Sequence, residues 1–227
     1  MDGVRLEDKA SRRRWFLQRM RRTLPSAGSH FPTLMALPRE VITLPLDAYF
    51  GAGRYAIVGG VATRAYQPER ATNGVDVLLD PAHIPDARSA LRSAGGRLLE
   101  TLSMPDSQLA LEGETWLVPD HGEIDILWSG GTWAREVLKD IRRDQTGAAV
   151  ASLAYLVLMK LDASRSVDQG DLARMLGLGD DRSLKETRSV VRRHLGDDVA
   201  RDLESYVELG RLEVGRPKHA VERDCET

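Results

Sequence analysis

Three short stretches of this 227-residue chain combine residue types able to handle phosphate and a cation. Gly59-Gly60 closes the apolar run Tyr55-Ala56-Ile57-Val58 and opens a helix-compatible segment, 61–66. With no Cβ atoms there, backbone N–H groups approach phosphate oxygens closely, helped by the positive end of a helix. The second stretch, Arg70-Ala71-Thr72-Asn73-Gly74-Val75-Asp76-Val77, sets a carboxylate in a strand whose positions 74 and 76 face one side. The third, Glu123-Ile124-Asp125-Ile126, sets Asp125 between two isoleucines. A carboxylate so placed is costly unless it caps a strand end or binds a cation. Taken singly, each stretch has a plainer reading: a diglycine turn, or a salt-bridged aspartate at a strand edge.

The elements that must position these residues follow from periodicity. Tyr55 to Val58, Val75 to Leu79 and Ile124 to Trp128 are short apolar strands ended by Gly59-Gly60, Asp80-Pro81 and Ser129-Gly130-Gly131. Residues 41–50 and 84–94 carry helical spacing, the latter ended by Gly95-Gly96. Leu109 to Leu111 and Trp116 to Val118 read as a hairpin around Glu112-Gly113-Glu114. Ala148 to Ala151 reads as a last strand, and Ser152 as the N-cap of an apolar helix, Leu153–Ala163. Helices over 168–176, 181–194 and 197–210 follow, separated by Gly177, Gly179 and Gly196. The pattern predicts an α/β (α+β) fold with a small mixed sheet flanked by helices and a helical C-terminal region. The corresponding division is a basic extension over 1–40, an α/β domain over 41–147, helices over 148–213 and a tail over 214–227.

Composition sets outer limits. Charged residues make up 29% yet the net charge is −2, so any attraction to nucleic acid must come from local patches. The arginines of 1–22 surround Trp15, Phe16, Leu17 and Met20 in a short amphipathic pattern, more simply a solvated helix face than a nucleic-acid arm. Residues 23–40 read as a linker, and Met35 is an alternative start. The single cysteine, Cys225, staples nothing, and no His/Cys spacing suggests zinc. No apolar run is long enough to span a bilayer and none follows the N-terminal arginines as a signal peptide would, so a cytoplasmic protein is expected.

Taken together, the three stretches resemble the DNA polymerase beta-type nucleotidyltransferase superfamily. More closely, they resemble its small bacterial members that include the abortive-infection (AbiEii-type) toxin enzymes. That pattern has Gly-Gly or Gly-Ser after the first strand, then Thr-x-Asp-φ-Asp about a dozen residues on, then a lone Asp on a later strand. Gly59-Gly60, Thr72, Asp76 and Asp125 occupy those places. The tail is similar too, with a strand entering a Leu-rich helix that reaches Lys160, followed by Arg165, Asp168 and Asp171. The likeness covers about 54–176.

The resemblance implies nucleotide transfer from a nucleoside triphosphate to a hydroxyl on RNA, protein or a small molecule, with Mg²⁺ or Mn²⁺. Asp76 would be a metal ligand, and Asp125 a metal ligand or general base. Gly59, Gly60 and Thr72 would meet the nucleotide, while Lys160 and Arg165 would neutralise phosphate charge. Asp168 and Asp171 share one helix face, and for Asp171 an ion-pair role is the simpler expectation. Lys160 reads equally well as a side chain snorkelling from an apolar helix. One departure stands out: Gly74 occupies the place of the first metal carboxylate. Its loss predicts weak metal binding and a rate lowered roughly 10²–10⁴-fold, or a catalytically inactive relative that binds nucleotide, nucleic acid or protein. Asn73, turned inward by a bulge, and Glu123, on the face of Asp125, are the candidate replacements. Acceptor, base preference and oligomeric state leave no mark in the sequence.

Overall fold

The computed structural model describes residues 45–68, 74–104 and 106–213. The expected N-terminal amphipathic helix, the linker after it, Arg70, Thr72, Asn73 and Cys225 lie outside those residues.

The chain forms a mixed α/β fold. Helix α1 (Leu46–Phe50) leads into strand β1 (Tyr55–Val58), all four residues of which are buried. Helix α2 (Gly59–Ala62) begins at the diglycine itself and runs into a 3₁₀ turn, Thr63–Ala65. Strand β2 (Val75–Leu79), helix α3 (Ile84–Ser93) and strand β3 (Arg97–Ser103) follow. Next come β4 (Glu112–Val118), β5 (Gly122–Trp128) and α4 (Thr132–Lys139). A small hairpin, β6 (Arg142–Arg143) and β7 (Ala149–Val150), completes the sheet. Four helices follow among the described residues: α5 (Leu153–Ala163), α6 (Ser166–Leu178), α7 (Asp181–Leu195) and α8 (Asp197–Glu213).

The seven strands lie in the order β3-β4-β5-β2-β1-β7-β6. The pairs β2/β5 and β1/β7 are parallel and the others antiparallel. One cluster of buried apolar residues extends from Leu46 to Leu209, so sheet and C-terminal helices share a core. Helix α5 is buried almost all round, as its largely apolar sequence requires, with Lys160 and Asp162 buried among the apolar residues. Helices α6 and α8 cross where Gly177 meets Gly210, and a Cβ on Gly210 would overlap the carbonyl oxygen of Ala173.

Three local expectations are corrected. The hairpin is not built around Glu112-Gly113-Glu114: those residues are in strand β4, and the turn falls at Pro119 to His121, with Val118 paired to Gly122. Gly113 is needed for packing, since a Cβ there would sit 2.6 Å from Leu127 Cδ2. Ser152 occupies the N-cap of α5, yet its side chain makes no capping bond. Positions 74 and 76 do not form a matched pair on one strand face. Gly74 precedes β2 with φ of +78°, and a Cβ there would point at the Glu123 carbonyl oxygen, 2.7 Å away. The pattern had also left Arg97–Ser103 and Thr132–Lys139 without an element.

Candidate functional site

The site is built where the ends of β1, β2 and β5 meet. Asp76 pairs in register with Asp125 across the parallel strands, so both side chains leave the sheet on the same face. On the other flank Asp76 is opposite Val58, the last residue of β1, which puts the diglycine directly beside it. Gly59 adopts φ of +62°, and a Cβ there would collide with Asp76 Oδ2. Only glycine allows this close approach. The Gly60 N–H donates to the Asp76 carboxylate.

Two half-buried carboxylates side by side repel one another, and the titration of Asp76 shows it. Burial first, then the charge of Asp125, push Asp76 up from 3.8 to about 6, against the opposing pull of Arg165, the Gly60 N–H and Lys160. Asp125 Oδ1 is buried and accepts no hydrogen bond from any described residue. Such an orphaned acceptor is expensive unless something cationic or protic meets it.

A buried ion network borders the acid pair. Lys160 Nζ, on α5, donates to Asp168 Oδ1 at 2.8 Å and to Asp171 Oδ2 at 2.7 Å, both on α6. All three residues are at most 4% exposed. Arg165 Nε donates to Asp168 Oδ2 at 2.8 Å while most of the Arg165 side chain stays in solvent. Arg165 is thus an exposed cation whose charge reaches Asp76, and Lys160 is spent on the aspartates that join α5 to α6. Gln67 completes the network by donating Nε2 to Asp171 Oδ1 at 2.9 Å. No sequence signal marked Gln67, because its role exists only once the turn after α2 lies against α6.

The structure therefore brings Asp76, Asp125, Gly59, Gly60 and Arg165 together, with Lys160 set behind them. Thr72 and Asn73 lie outside the described residues, and Glu123 is exposed. No protein-family model matches this chain, and no curated protein matches it. Among solved structures the chain is similar to ANT(2'')-Ia in complex with adenylyl-2''-tobramycin. The identity is 17% and the TM-score 0.36, over 70% of this chain and 87% of that one. It is similar also to the solution structure of the antibiotic-resistance factor ANT(2'')-Ia, at 16% identity and a TM-score of 0.37, over 70% and 82%.

Among the described residues no group of three or more His, Cys, Asp or Glu is placed to hold a metal ion. Mg²⁺, however, commonly takes one or two carboxylates and completes its shell with water and substrate phosphates. The orphaned Asp125 oxygen and the destabilised charge of Asp76 fit one such cation. A second ion would need a further carboxylate, and Gly74 supplies none. No helix of the described residues is long and apolar enough to cross a membrane.

Proposed function

We propose that the chain transfers a nucleotide from a nucleoside triphosphate to a hydroxyl acceptor, using one weakly held Mg²⁺ or Mn²⁺. The observation that carries this reading is the in-register pair Asp76 and Asp125, lacking a full counter-charge and lying against the diglycine of α2. The cation, when bound by Asp76 and Asp125, supplies charge neutralisation for the triphosphate. Gly59 and Gly60 let the Asp76 carboxylate lie against the backbone where the triphosphate would be met, and Arg165 adds positive charge beside it. The acceptor oxygen bonds to the α-phosphorus as the bond to pyrophosphate breaks, and Asp125 takes the hydroxyl proton. RNA, a protein side chain and a small molecule all offer such a hydroxyl. The closer likeness to abortive-infection toxin enzymes rests on the motif spacing of Gly59-Gly60, Thr72, Asp76 and Asp125.

Incubation with labelled nucleoside triphosphates and Mg²⁺ or Mn²⁺ tests the reading. Label transfer is expected from the wild-type chain and is lost in Asp76→Asn and Asp125→Asn; equal transfer from those variants overturns it.

A second reading is a nucleotide-, nucleic-acid- or protein-binding module without turnover. It draws on Gly74, whose backbone leaves no space for a carboxylate, and on Lys160, already claimed by Asp168 and Asp171. Calorimetric nucleotide binding that ignores Mg²⁺, with no label transfer, would favour it.

A further inference from the structure

We propose that β3 is a docking edge for a second copy of this chain, the two β3 strands pairing antiparallel about a two-fold axis. Strand β3 ends the sheet, so its outer row of backbone N–H and C=O groups has no strand partner among the described residues. Edges of this kind are commonly guarded by proline or lysine, and Arg97–Ser103 contains neither. Among the exposed large apolar side chains of the described residues, Leu98 and Leu99 lie on this strand and Leu117 beside it on β4. They are 40%, 38% and 37% exposed. Clustered leucines on an open strand edge suit the addition of a further strand.

The register of β3 on β4 indicates which strand fits. Arg97 pairs with Leu117, Leu98 with Trp116 and Glu100 with Thr115, so Leu99 is the extra residue of a bulge. Cross-strand partners share a face, and Leu117 and Thr115 are two apart on β4. Arg97 and Glu100 therefore stand on one face, although a regular strand would put residues three apart on opposite faces. Leu98 stands on the other face with Trp116. Both charged residues are exposed, and among the described residues no ion pair holds either. A bulge can turn an edge away from pairing; this one lines up a base and an acid instead.

A two-fold axis normal to the sheet, passing between Leu98 and Leu99, makes the patch complementary to itself. Arg97 then faces Glu100 of the second copy and Glu100 faces its Arg97. Leu98 and Leu99 meet Leu99 and Leu98 of that copy, with ladder hydrogen bonds on either side of the bulged residues. Charge and apolar surface both match, as an isologous contact requires. The sheet continues through both copies. Glu100, Thr115, Asp125 and Asp76 form one row, so the acid pairs of both copies lie on the same side of it. Contact along one seven-residue strand is smaller than a standard interface, so a dissociation constant of roughly 10–100 µM is expected.

Sedimentation equilibrium of the full chain at low salt, from about 2 to 200 µM, tests this. Wild type should show a monomer–dimer equilibrium. Arg97→Glu sets acids opposite each other and Glu100→Arg sets bases so, and each variant alone should dimerise at least about tenfold more weakly. Mixed in equal amounts, the two variants should associate about as tightly as wild type, since every charge again meets its opposite across the pair. Both positions are exposed, so the circular dichroism of each variant should match that of wild type. A wild type that stays monomeric to about 200 µM overturns the proposal. So do single variants that dimerise as wild type does, or a mixture that fails to recover association.

Discussion

Asp76 holds its proton more tightly in the folded chain than a solvated aspartate does, since burial and Asp125 raise it to about 6. Between the unfolded value of 3.8 and about 6, the native state binds more protons than the unfolded one. Stability therefore falls as pH rises through that window and levels off above it. Asp76→Asn removes the penalty. Urea midpoints should show the variant more stable than wild type above pH ~6, by on the order of 1–3 kcal/mol, with the difference vanishing near pH ~4. Millimolar Mn²⁺ should raise the wild-type midpoint at neutral pH and leave that of Asp76→Asn in place. The two glycines act by geometry. Gly59→Ala drives a methyl into the Asp76 carboxylate, and Gly74→Asp places a Cβ against the Glu123 carbonyl at positive φ. Gly74→Asp should cost on the order of 1–3 kcal/mol in thermal or urea melts and fail to raise label transfer. Increased transfer at unchanged stability would mean that the strand yields. The departure at 74 was legible as a residue type, but not as a backbone conformation, because a glycine in sequence does not announce its φ.

At the scale of elements, Lys160 is the tie between α5 and α6. Lys160→Met leaves Asp168 and Asp171 buried with their main counter-charge gone, and should cost about 3–5 kcal/mol in a urea melt. Double substitution of Lys160 and Asp171 by apolar residues should recover part of that loss, as coupling within one network requires. Strands β1, β2 and β5 and helices α3, α6, α7 and α8 were readable from apolar period and a glycine or proline stop, and α5 from its long apolar run after Ser152. Strand β4 was misread because Glu112-Gly113-Glu114 looks like a turn in one dimension. Its glycine answers instead to Leu127 and Ile126 on the neighbouring strand. Glu114 looks like a solvent residue, yet it is buried under Arg88 and the Trp116 indole, both of which donate to it. Contacts of this kind belong to the tertiary fold, and local propensity yields to them.

In the whole molecule, the C-terminal helices and the sheet form one body through a shared apolar core. The α6–α8 crossing at Gly177 and Gly210 is its tightest joint. Gly210→Ala forces a methyl into the Ala173 carbonyl and Gly177→Ala forces one into the Gly210 backbone. Either should separate the helices and lower the thermal midpoint by many degrees, corresponding to more than about 3 kcal/mol. The mixed sheet and helical tail were visible in the alternation of strand and helix periods. The order of strands was not, since pairing between distant segments leaves no local trace. That order has a kinetic consequence. Asp76 and Asp125 are about fifty residues apart in the chain and adjoin only across a parallel pair, which must pay its loop-closure entropy before any cross-strand contact rewards it. A nascent chain released before β5 thus has one acidic side chain and no partner for it, and cation affinity should emerge in a single late step, together with the global fold.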